Sequence, residues 1–155
     1  MPVLVTQGNL ADPRVIALLQ QHVARARAET APGSAHALDL GQLQSADVSF
    51  FSAWDGGALL GVAALKRLSP DHGEVKSMHT AENARRRGVA TALMRQLLAT
   101  ARRTGLTRLS LETGSWDYFE PARALYRSHG FKECAPFGDY VADPNSVFMS
   151  LELQT

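Results

Sequence analysis

The sequence predicts one domain of the α/β class, in which helices cover both faces of a mixed central sheet. The predicted elements follow the order β-α-loop-β-β-β-α-β-α-β-β, and no repeat, low-complexity tract or linker interrupts them. The length of 155 residues corresponds to about one domain, at roughly 150 residues each. Hydrophobic residues make up 45% of the chain, which is enough for a core that needs no disulfide or metal.

In the first half of the chain, turn residues and apolar spacing set the element boundaries. Asp12 and Pro13 are typical of an N-cap and a first helical position, and the apolar residues that follow recur at helical spacing. The triplet Asp55-Gly56-Gly57 predicts a hairpin turn between two antiparallel strands. The predicted elements are strands 3–6, 48–54, 58–68 and 74–80, a helix from residue 12 to about residue 28, and a loop-like stretch 30–45 with room for one short helix.

In the second half, glycines mark where two predicted helices end. A long helical pattern opens at Gly88 and stops at Gly105, and a shorter helix begins near Pro121 and stops at Gly130. The remaining predicted elements are strand 107–113 between the two helices and strands 131–135 and 147–153 after them.

Composition and cysteine count exclude several classes of protein. The charges nearly cancel, with 16 Lys and Arg against 15 Asp and Glu, which argues against a generally cationic DNA-coating protein. Cys134 is the single cysteine, so an internal disulfide and a multi-cysteine zinc site are excluded, and the five histidines lack the spacing of a metal motif. No signal-peptide pattern and no apolar run near the roughly 20 residues of a membrane span occur. We therefore expect a cytoplasmic protein without a metal or a membrane partner.

The arginines are distributed unevenly along the chain. Seven of them fall between residues 83 and 111, a stretch that contains no acidic residue. Such a block in a nearly neutral chain indicates a local anionic ligand. A nucleic acid is disfavoured as that ligand, because the block lacks interleaved aromatic residues for base stacking and the net charge is only +1.

The segment that connects the predicted strand 74–80 to the helix after Gly88 is the predicted anion site. The first N–H groups of a helix have no partner within it, and the helix dipole adds partial positive charge there. This geometry binds phosphate or pyrophosphate, and a glycine lets the chain approach the ligand closely. The segment contains neither a Walker A pattern nor Gly-x-Gly-x-x-Gly.

Two motifs carry a resemblance to a known family. Arg85-Arg86-Arg87-Gly88-Val89-Ala90 fits the pattern Gln/Arg-x-x-Gly-x-Gly/Ala and resembles the acetyl-coenzyme A loop of the GNAT superfamily of N-acetyltransferases. Residues 122–131, Ala-Arg-Ala-Leu-Tyr-Arg-Ser-His-Gly-Phe, resemble its second signature, Ala-x-x-Leu-Tyr-x-x-x-Gly-Phe. The resemblance implies a single GNAT domain over residues 1–155, with a mostly antiparallel sheet whose fourth and fifth strands splay apart. It also implies acetyl-CoA (coenzyme A) as co-substrate and transfer of its acetyl group to an amine.

The resemblance assigns the coenzyme to two stretches of chain. Backbone amides of residues 86–91 hold the pyrophosphate, and residues 78–80 pair their backbone with the pantetheine amides. An N–H group near Met78 or His79 polarises the acetyl carbonyl and stabilises the oxyanion. The residues expected to contact the coenzyme are Met78, His79, Thr80, Arg85, Arg86, Arg87, Gly88, Val89, Ala90, Thr91, Phe119, Ala122, Tyr126 and Arg127.

Proton transfer in such a reaction needs a base and an acid. Glu74 stands fourteen residues before Gly88, the spacing of the catalytic glutamate in the histone acetyltransferase branch, so the resemblance makes it a candidate base. The alternative is a solvated carboxylate at Glu74, with Glu112 or an ordered water as the base. Tyr126 is the candidate acid, since a phenol of pKa about 10 can protonate a leaving thiolate. The alternative for Tyr126 is a core tyrosine.

The acceptor cleft of GNAT folds is lined by the loop after the first helix and by the final hairpin. In this chain the resemblance points to His36, Asp39 and Tyr140 as substrate-binding residues, with a turn or capping role as the alternative for Asp39. We expect the acceptor to be the primary amine of a small molecule or amino acid. A protein or peptide acceptor and a non-catalytic acyl-CoA-binding module are the alternatives. The resemblance also suggests a homodimer, since small GNAT proteins often pair through their C-terminal strands.

Overall fold

The computed structural model describes residues 3–29, 40–85 and 87–153, and its elements follow the predicted order. Most of the predicted loop 30–45 lies outside these residues. The strands are β1 (Leu4–Gln7), β2 (Val48–Asp55), β3 (Ala58–Ser69), β4 (His72–Thr80), β5 (Arg108–Gly114), β6 (Lys132–Glu133) and β7 (Ser146–Glu152). The helices are α1 (Pro13–Ala28), α2 (Leu40–Leu43), α3 (Val89–Arg103) and α4 (Glu120–Ser128), with short 3-10 turns at Glu82–Ala84 and Asp117–Phe119.

The seven strands form one sheet in the order β1-β2-β3-β4-β5-β7-β6. Neighbouring strands are antiparallel except β4 and β5, which run parallel. The parallel pairing is short, because it extends from His72 opposite Arg108 to Glu74 opposite Ser110 and then stops. The mixed, mostly antiparallel sheet confirms the predicted fold class, and the short parallel pairing is the splay of the fourth and fifth strands.

Helices pack on both faces of the sheet, as predicted. On one face, Leu19 of α1 and Leu43 of α2 pack with Phe50 and Val62 of the sheet. On the other face, α3 and α4 cover a larger cluster of buried apolar residues. Strand residues adjacent in sequence to those of the first face belong to this cluster, because successive side chains of a strand point to opposite faces. Buried members of this second cluster include Leu93, Leu97, Leu109, Leu111, Tyr126 and Phe131.

Local signals place the starts of the two long helices. The Asp12 carboxylate accepts a hydrogen bond from the N–H of Arg14 at 2.9 Å, and Pro13 occupies the first helical position, where no N–H is needed. Gly88 is the N-cap of α3 with φ of 77°, a left-handed conformation that glycine adopts readily. The first turn of α3 therefore begins directly after Gly88, eight residues beyond the end of β4.

One strand is shorter than predicted. The predicted strand 131–135 is reduced to β6, because the N–H of Phe131 donates to the carbonyl of Tyr126 at 3.1 Å and closes α4 instead. The chain then forms a long loop, residues 134–145, before it enters β7. Across the three described ranges, none of the helices is long and apolar enough to cross a membrane.

Candidate active site

A cleft opens where β4 and β5 separate. Beyond the pair Glu74–Ser110 the two strands no longer pair, and the space between them widens into a cavity of about 690 Å³. Its walls come from β4, β5, the first turn of α3, α4 and the loop before β7. The middle of α1 closes the cleft from the other face of the sheet, through His22, Val23 and Ala26.

The edge of β4 that faces the cleft offers backbone groups to a ligand. Between residues 75 and 80 the strand has β3 on one side and the cleft on the other. The register with β3 shifts between Val62 and Ala64, and opposite this shift Ser77 has φ of 60°, which is uncommon for a residue other than glycine. The Ser77 hydroxyl oxygen is buried without a hydrogen-bond partner. An extended ligand that carries amide groups, such as pantetheine, fits this edge.

The first turn of α3 is the second binding feature of the cleft. Val89, Ala90 and Thr91 line it, and their N–H groups have no acceptor within the helix. The space beside Gly88 is open, with no heavy atom within 4 Å of the position that a Cβ would take. Exposed Arg85 lies beside this turn and also lines the cleft. These residues fit a phosphate or pyrophosphate group.

Glu74 lies at the closed end of the cleft, where β4 and β5 still pair. The residue is 4% exposed, which excludes the alternative of a solvated carboxylate. The hydroxyl of Tyr140 donates to Oε2 of Glu74 at 2.6 Å, and Nζ of Lys76 lies 3.7 Å from Oε1. Burial and the hydrogen-bonded Glu74 carboxylate raise the pKa of Tyr140 above its ordinary value. The Tyr140 hydroxyl therefore stays protonated and acts as the donor.

Glu112 contributes a second carboxylate to the cleft. It stands two residues beyond Ser110, the partner of Glu74, so strand alternation places Glu74 and Glu112 on the same face of the sheet. The charge of Glu112 adds to the causes that raise the pKa of Tyr140. The site thus combines two carboxylates, one ammonium group and one phenol. Such a set can bind a cationic amine and take up its proton.

Tyr126 belongs both to the core and to the cleft. Its ring packs edge-on against Phe131 with 6.0 Å between the ring centroids, and the residue is 6% exposed. Burial raises the pKa of Tyr126 to about 12. Because Tyr126 also lines the cleft, the core role does not exclude the predicted role as an acid.

Two histidines whose rings are in tilted contact line the wall between β4 and α1. The ring of His79 lies 4.7 Å from that of His22 between centroids, and both residues line the cleft. Burial, followed by the charges of His22 and Arg85, lowers the pKa of His79 to about 3, and burial lowers the pKa of His22 to about 4. Both rings are therefore neutral near pH 7, and the guanidinium groups of Arg85 and Arg25 supply positive charge near them.

The structure brings most of the predicted site residues together in the cleft. Arg86, His36 and Asp39 lie outside the described residues. The predicted residues that line the cleft are Glu74, Met78, His79, Thr80, Arg85, Gly88, Val89, Ala90, Thr91, Glu112, Phe119, Ala122, Tyr126 and Tyr140.

Two predicted coenzyme contacts lie elsewhere. The guanidinium group of Arg87 pairs with Asp55 of the β2–β3 turn at 2.7 Å. The guanidinium group of Arg127 pairs with Glu120 at 2.6 Å, and Arg127 lines a separate, smaller cavity. Neither arginine lines the cleft, because each guanidinium group has a carboxylate within reach on the protein itself. Their assignment as coenzyme ligands stays a prediction.

Several residues that line the cleft were not predicted as site residues, and three of them carry polar side chains on β4 or α1. Lys76 follows Glu74 by two positions, so strand alternation alone places both on one face and is a signal that the sequence does contain. His22 belongs to the apolar face of α1 in the sequence pattern, and nothing local indicates that it meets His79. Ser77 carries no turn signal, since glycine or asparagine is the usual residue at a left-handed position.

Comparison with known proteins identifies relatives over almost the whole chain. Residues 17–131 match the model of the acetyltransferase (GNAT) family. The chain is 46% identical over 145 residues to the uncharacterized N-acetyltransferase YsnE of Bacillus subtilis, across 94% of this chain and 96% of the relative. It is also 46% identical over 149 residues to the uncharacterized N-acetyltransferase YedL of Escherichia coli, across 96% and 94%. An IAA acetyltransferase of Azospirillum brasilense is 38% identical over 121 residues, across 77% of this chain and 78% of the relative.

Solved structures show the same fold. A protein of Klebsiella pneumoniae described as an acyl-CoA N-acyltransferase superposes with a TM-score of 0.84 at 28% identity, across 98% of both chains. An acetyltransferase of Bacillus subtilis in complex with CoA superposes with a TM-score of 0.73 at 18% identity, across 99% of this chain and 100% of the other. Together with the family match and the two relatives at 46% identity, these findings confirm the resemblance carried by the two motifs. The chain belongs to the GNAT family of acetyltransferases.

Proposed function

We propose that this acetyltransferase moves the acetyl group of acetyl-CoA to the primary amine of a small molecule or an amino acid. Acetyl-CoA is the co-substrate typical of the family, and its thioester supplies the activated acetyl group. The observation that carries the proposal is the position of Glu74, a buried carboxylate at the closed end of the cleft between β4 and β5.

The residues of the cleft fit the coenzyme at two places. The free edge of β4 between residues 75 and 80 would pair with the pantetheine amides, and a backbone N–H at the Ser77 bulge would polarise the acetyl carbonyl. The N–H groups of Val89, Ala90 and Thr91, together with Arg85, would hold the pyrophosphate. The open space beside Gly88 leaves room for that group.

The roles of base and acid are assigned to carboxylates on β4 and β5 and to a phenol on α4. A protonated amine is not a nucleophile, so Glu74 serves as the base that removes its proton, with Glu112 as a second carboxylate that attracts the cation. Tyr126, which stays protonated far above neutral pH, serves as the acid for the leaving thiolate.

A small acceptor is favoured over a peptide by the enclosure of the base. The Glu74 side chain is 6% exposed and lies beneath Tyr140 of the loop before β7. A small amine can approach so closed an end of the cleft, whereas a peptide would have to extend a long side chain toward it. The homodimer stays a prediction.

A thiol-release screen tests this proposal. Purified protein and acetyl-CoA would be incubated with aliphatic amines, aromatic amines, free amino acids and tripeptides, and CoA release would be followed with a thiol reagent. We expect release with at least one small amine or amino acid. Release with peptides alone would reassign the acceptor class. Binding of CoA, seen as a raised melting temperature, without release for any acceptor would contradict the enzymatic proposal and indicate an acyl-CoA-binding module.

A further inference from the structure

Glu74 is too enclosed to meet an acceptor amine by itself. Its side chain is 6% exposed, one carboxylate oxygen accepts a hydrogen bond from Tyr140, and the other lies near Lys76. A base must lie within hydrogen-bond reach of the proton that it takes, either directly or through one bridging group. Tyr140 is such a bridge, because its hydroxyl is bonded to Glu74 and the residue lines the cleft.

Aromatic packing holds Tyr140 in place over Glu74. Its ring centroid lies 5.2 Å from that of Phe137 and 5.7 Å from that of Phe148. Phe137 in turn packs edge-on against Phe148 at 5.9 Å and against His72 at 5.8 Å. These contacts fasten the loop before β7 to the sheet, so the hydroxyl is already oriented toward the carboxylate.

We propose, as an extension of the proposed function, that Tyr140 is a catalytic residue that relays the acceptor's proton to Glu74. The acceptor ammonium gives one proton to Oη of Tyr140 while Oη passes its own proton to Oε2 of Glu74. Tyr140 is neutral before and after the step, and Glu74 ends protonated. The freed nitrogen lone pair attacks the acetyl carbonyl and forms the C–N bond, and the C–S bond then breaks. The thiolate leaves with the electron pair of the C–S bond and takes a proton from Tyr126, which solvent reprotonates. The nitrogen loses its second proton to solvent, and Glu74 also returns its proton to solvent.

The charges around Tyr140 suit this relay. On β4, Nζ of Lys76 lies 3.7 Å from Oε1 of Glu74 and donates to the Tyr140 hydroxyl oxygen at 3.5 Å, so its positive charge lies beside both groups of the relay. On β5, the negative charge of Glu112 acts with burial and with Glu74 to keep Tyr140 protonated. The phenol thus has a proton to pass on at every pH at which an enzyme would work.

The test compares Tyr140→Phe with the wild type and with Glu74→Gln, using the best acceptor from the thiol-release screen. Phenylalanine keeps the ring that packs against Phe137 and Phe148 and removes only the hydroxyl. We expect kcat/KM for the acceptor to fall about a hundredfold near pH 7, within the usual range for acid–base catalysis, with an unchanged KM for acetyl-CoA. The loss should shrink as the pH approaches the pKa of the acceptor, because a neutral amine needs no base. The double variant should lose no more than the worse single variant, because both residues serve one proton path.

Ser69→Ala is the matched control. The Ser69 hydroxyl also donates to a carboxylate, with 2.9 Å between Oγ of Ser69 and Oδ1 of Asp71. This hydrogen bond is exposed and lies outside the cleft. We expect it to retain wild-type activity. A Tyr140→Phe rate within twofold of wild type, an equal loss at every pH, or losses that multiply in the double variant would each overturn the relay while leaving the proposed function intact. If the wild type itself transfers no acetyl group, the proposed function fails and the relay fails with it.

Discussion

The two edges of β4 differ in a way that explains where the site lies. On one edge, β4 pairs with β3 from Ser69 opposite His72 to Gly61 opposite Thr80. On the other edge, pairing with β5 ends at Glu74, after three residues. The same strand is therefore fixed along its length by β3, while two thirds of its opposite edge, residues 75–80, do not pair with β5. The coenzyme site that we propose is therefore a strand edge left open in the interior of the sheet.

The open edge also collects the unusual features of the molecule. Ser77, with its left-handed φ and its unpartnered hydroxyl, lies on it, and buried Glu74 lies where it begins. Residues held in sparsely populated backbone conformations persist only where the surroundings hold them, and they cluster at functional sites. The paired edge, by contrast, faces β3, which contributes ordinary buried apolar residues such as Val62 and Leu65. We therefore expect substitutions at the open edge to change binding and catalysis, and substitutions at the paired edge to change stability.

The largest expected effect is at the far end of the open edge, where Gly88→Glu would place bulk and negative charge in the phosphate site. At a CoA concentration of about 100 times Kd, we expect the wild type to gain roughly 2.7 kcal/mol, seen as a raised melting temperature. We expect the variant to show no such rise, because the side chain enters the space left open for the ligand and repels its phosphates.

Gly105→Glu is the control for that substitution. Gly105 follows the other end of α3, has φ of 85°, and has equally open space at its Cβ position. Both variants therefore carry the same charge and the same left-handed strain, but Gly105 lies outside the cleft. A CoA-dependent rise that survives in Gly88→Glu, or one that is lost equally in Gly105→Glu, would contradict the assignment of the phosphate site.

A smaller effect is expected for Tyr126→Phe, on the cleft wall opposite β4. The leaving group is a thiolate whose conjugate acid has a pKa of about 8.5, so an acid helps it only moderately, and we expect kcat to fall about tenfold. The KM for acetyl-CoA should change less than kcat. Because burial raises the pKa of Tyr126 to about 12, the phenol stays protonated through neutral and moderately alkaline pH. The ratio of wild-type to variant kcat should therefore be constant from pH 6 to pH 9, measured by steady-state kinetics, and an unchanged kcat would leave Tyr126 with a packing role alone.

Features encoded by neighbouring residues were predictable from the sequence. Asp12 and Pro13 mark the start of α1, and Gly88 marks the start of α3, because capping and left-handed turns depend on one or two residues. The cleft residues 78–80 and 88–91 were predictable for a related reason, since one strand end and one helix start carry them. For these residues the family motif and the local backbone geometry predict the same N–H groups as the binding groups.

Features that depend on distant contacts were not predictable. Tyr140 was expected to bind substrate, but its hydrogen bond to Glu74 joins residues 66 positions apart. Arg87 was expected at the phosphate site, but it pairs with Asp55, 32 positions away. No local pattern encodes such pairings, because they depend on how the loop before β7 and the β2–β3 turn fold back over the sheet. The bulge at Ser77 escaped prediction for another reason, as serine is not the residue that a left-handed position favours.

The smallest expected effect compares the two edges of β4 directly through stability. Ser77→Gly should raise the free energy of unfolding by about 1 kcal/mol, because glycine accepts the left-handed φ and removes the unpartnered hydroxyl, with part of the gain offset by its freedom in the unfolded chain. Gly61→Ala, on β3 opposite the paired edge of β4, should lower the free energy of unfolding by roughly 1–3 kcal/mol, as expected for overpacking. Its added Cβ would lie 2.9 Å from the carbonyl oxygen of His79 and 2.9 Å from Cγ1 of Val89. Denaturant unfolding of the two variants measures both changes. If the two changes in the free energy of unfolding have opposite signs, the open edge is held in a conformation that costs stability. If both variants lose stability, Ser77 is not strained and the bulge is as well packed as the paired edge.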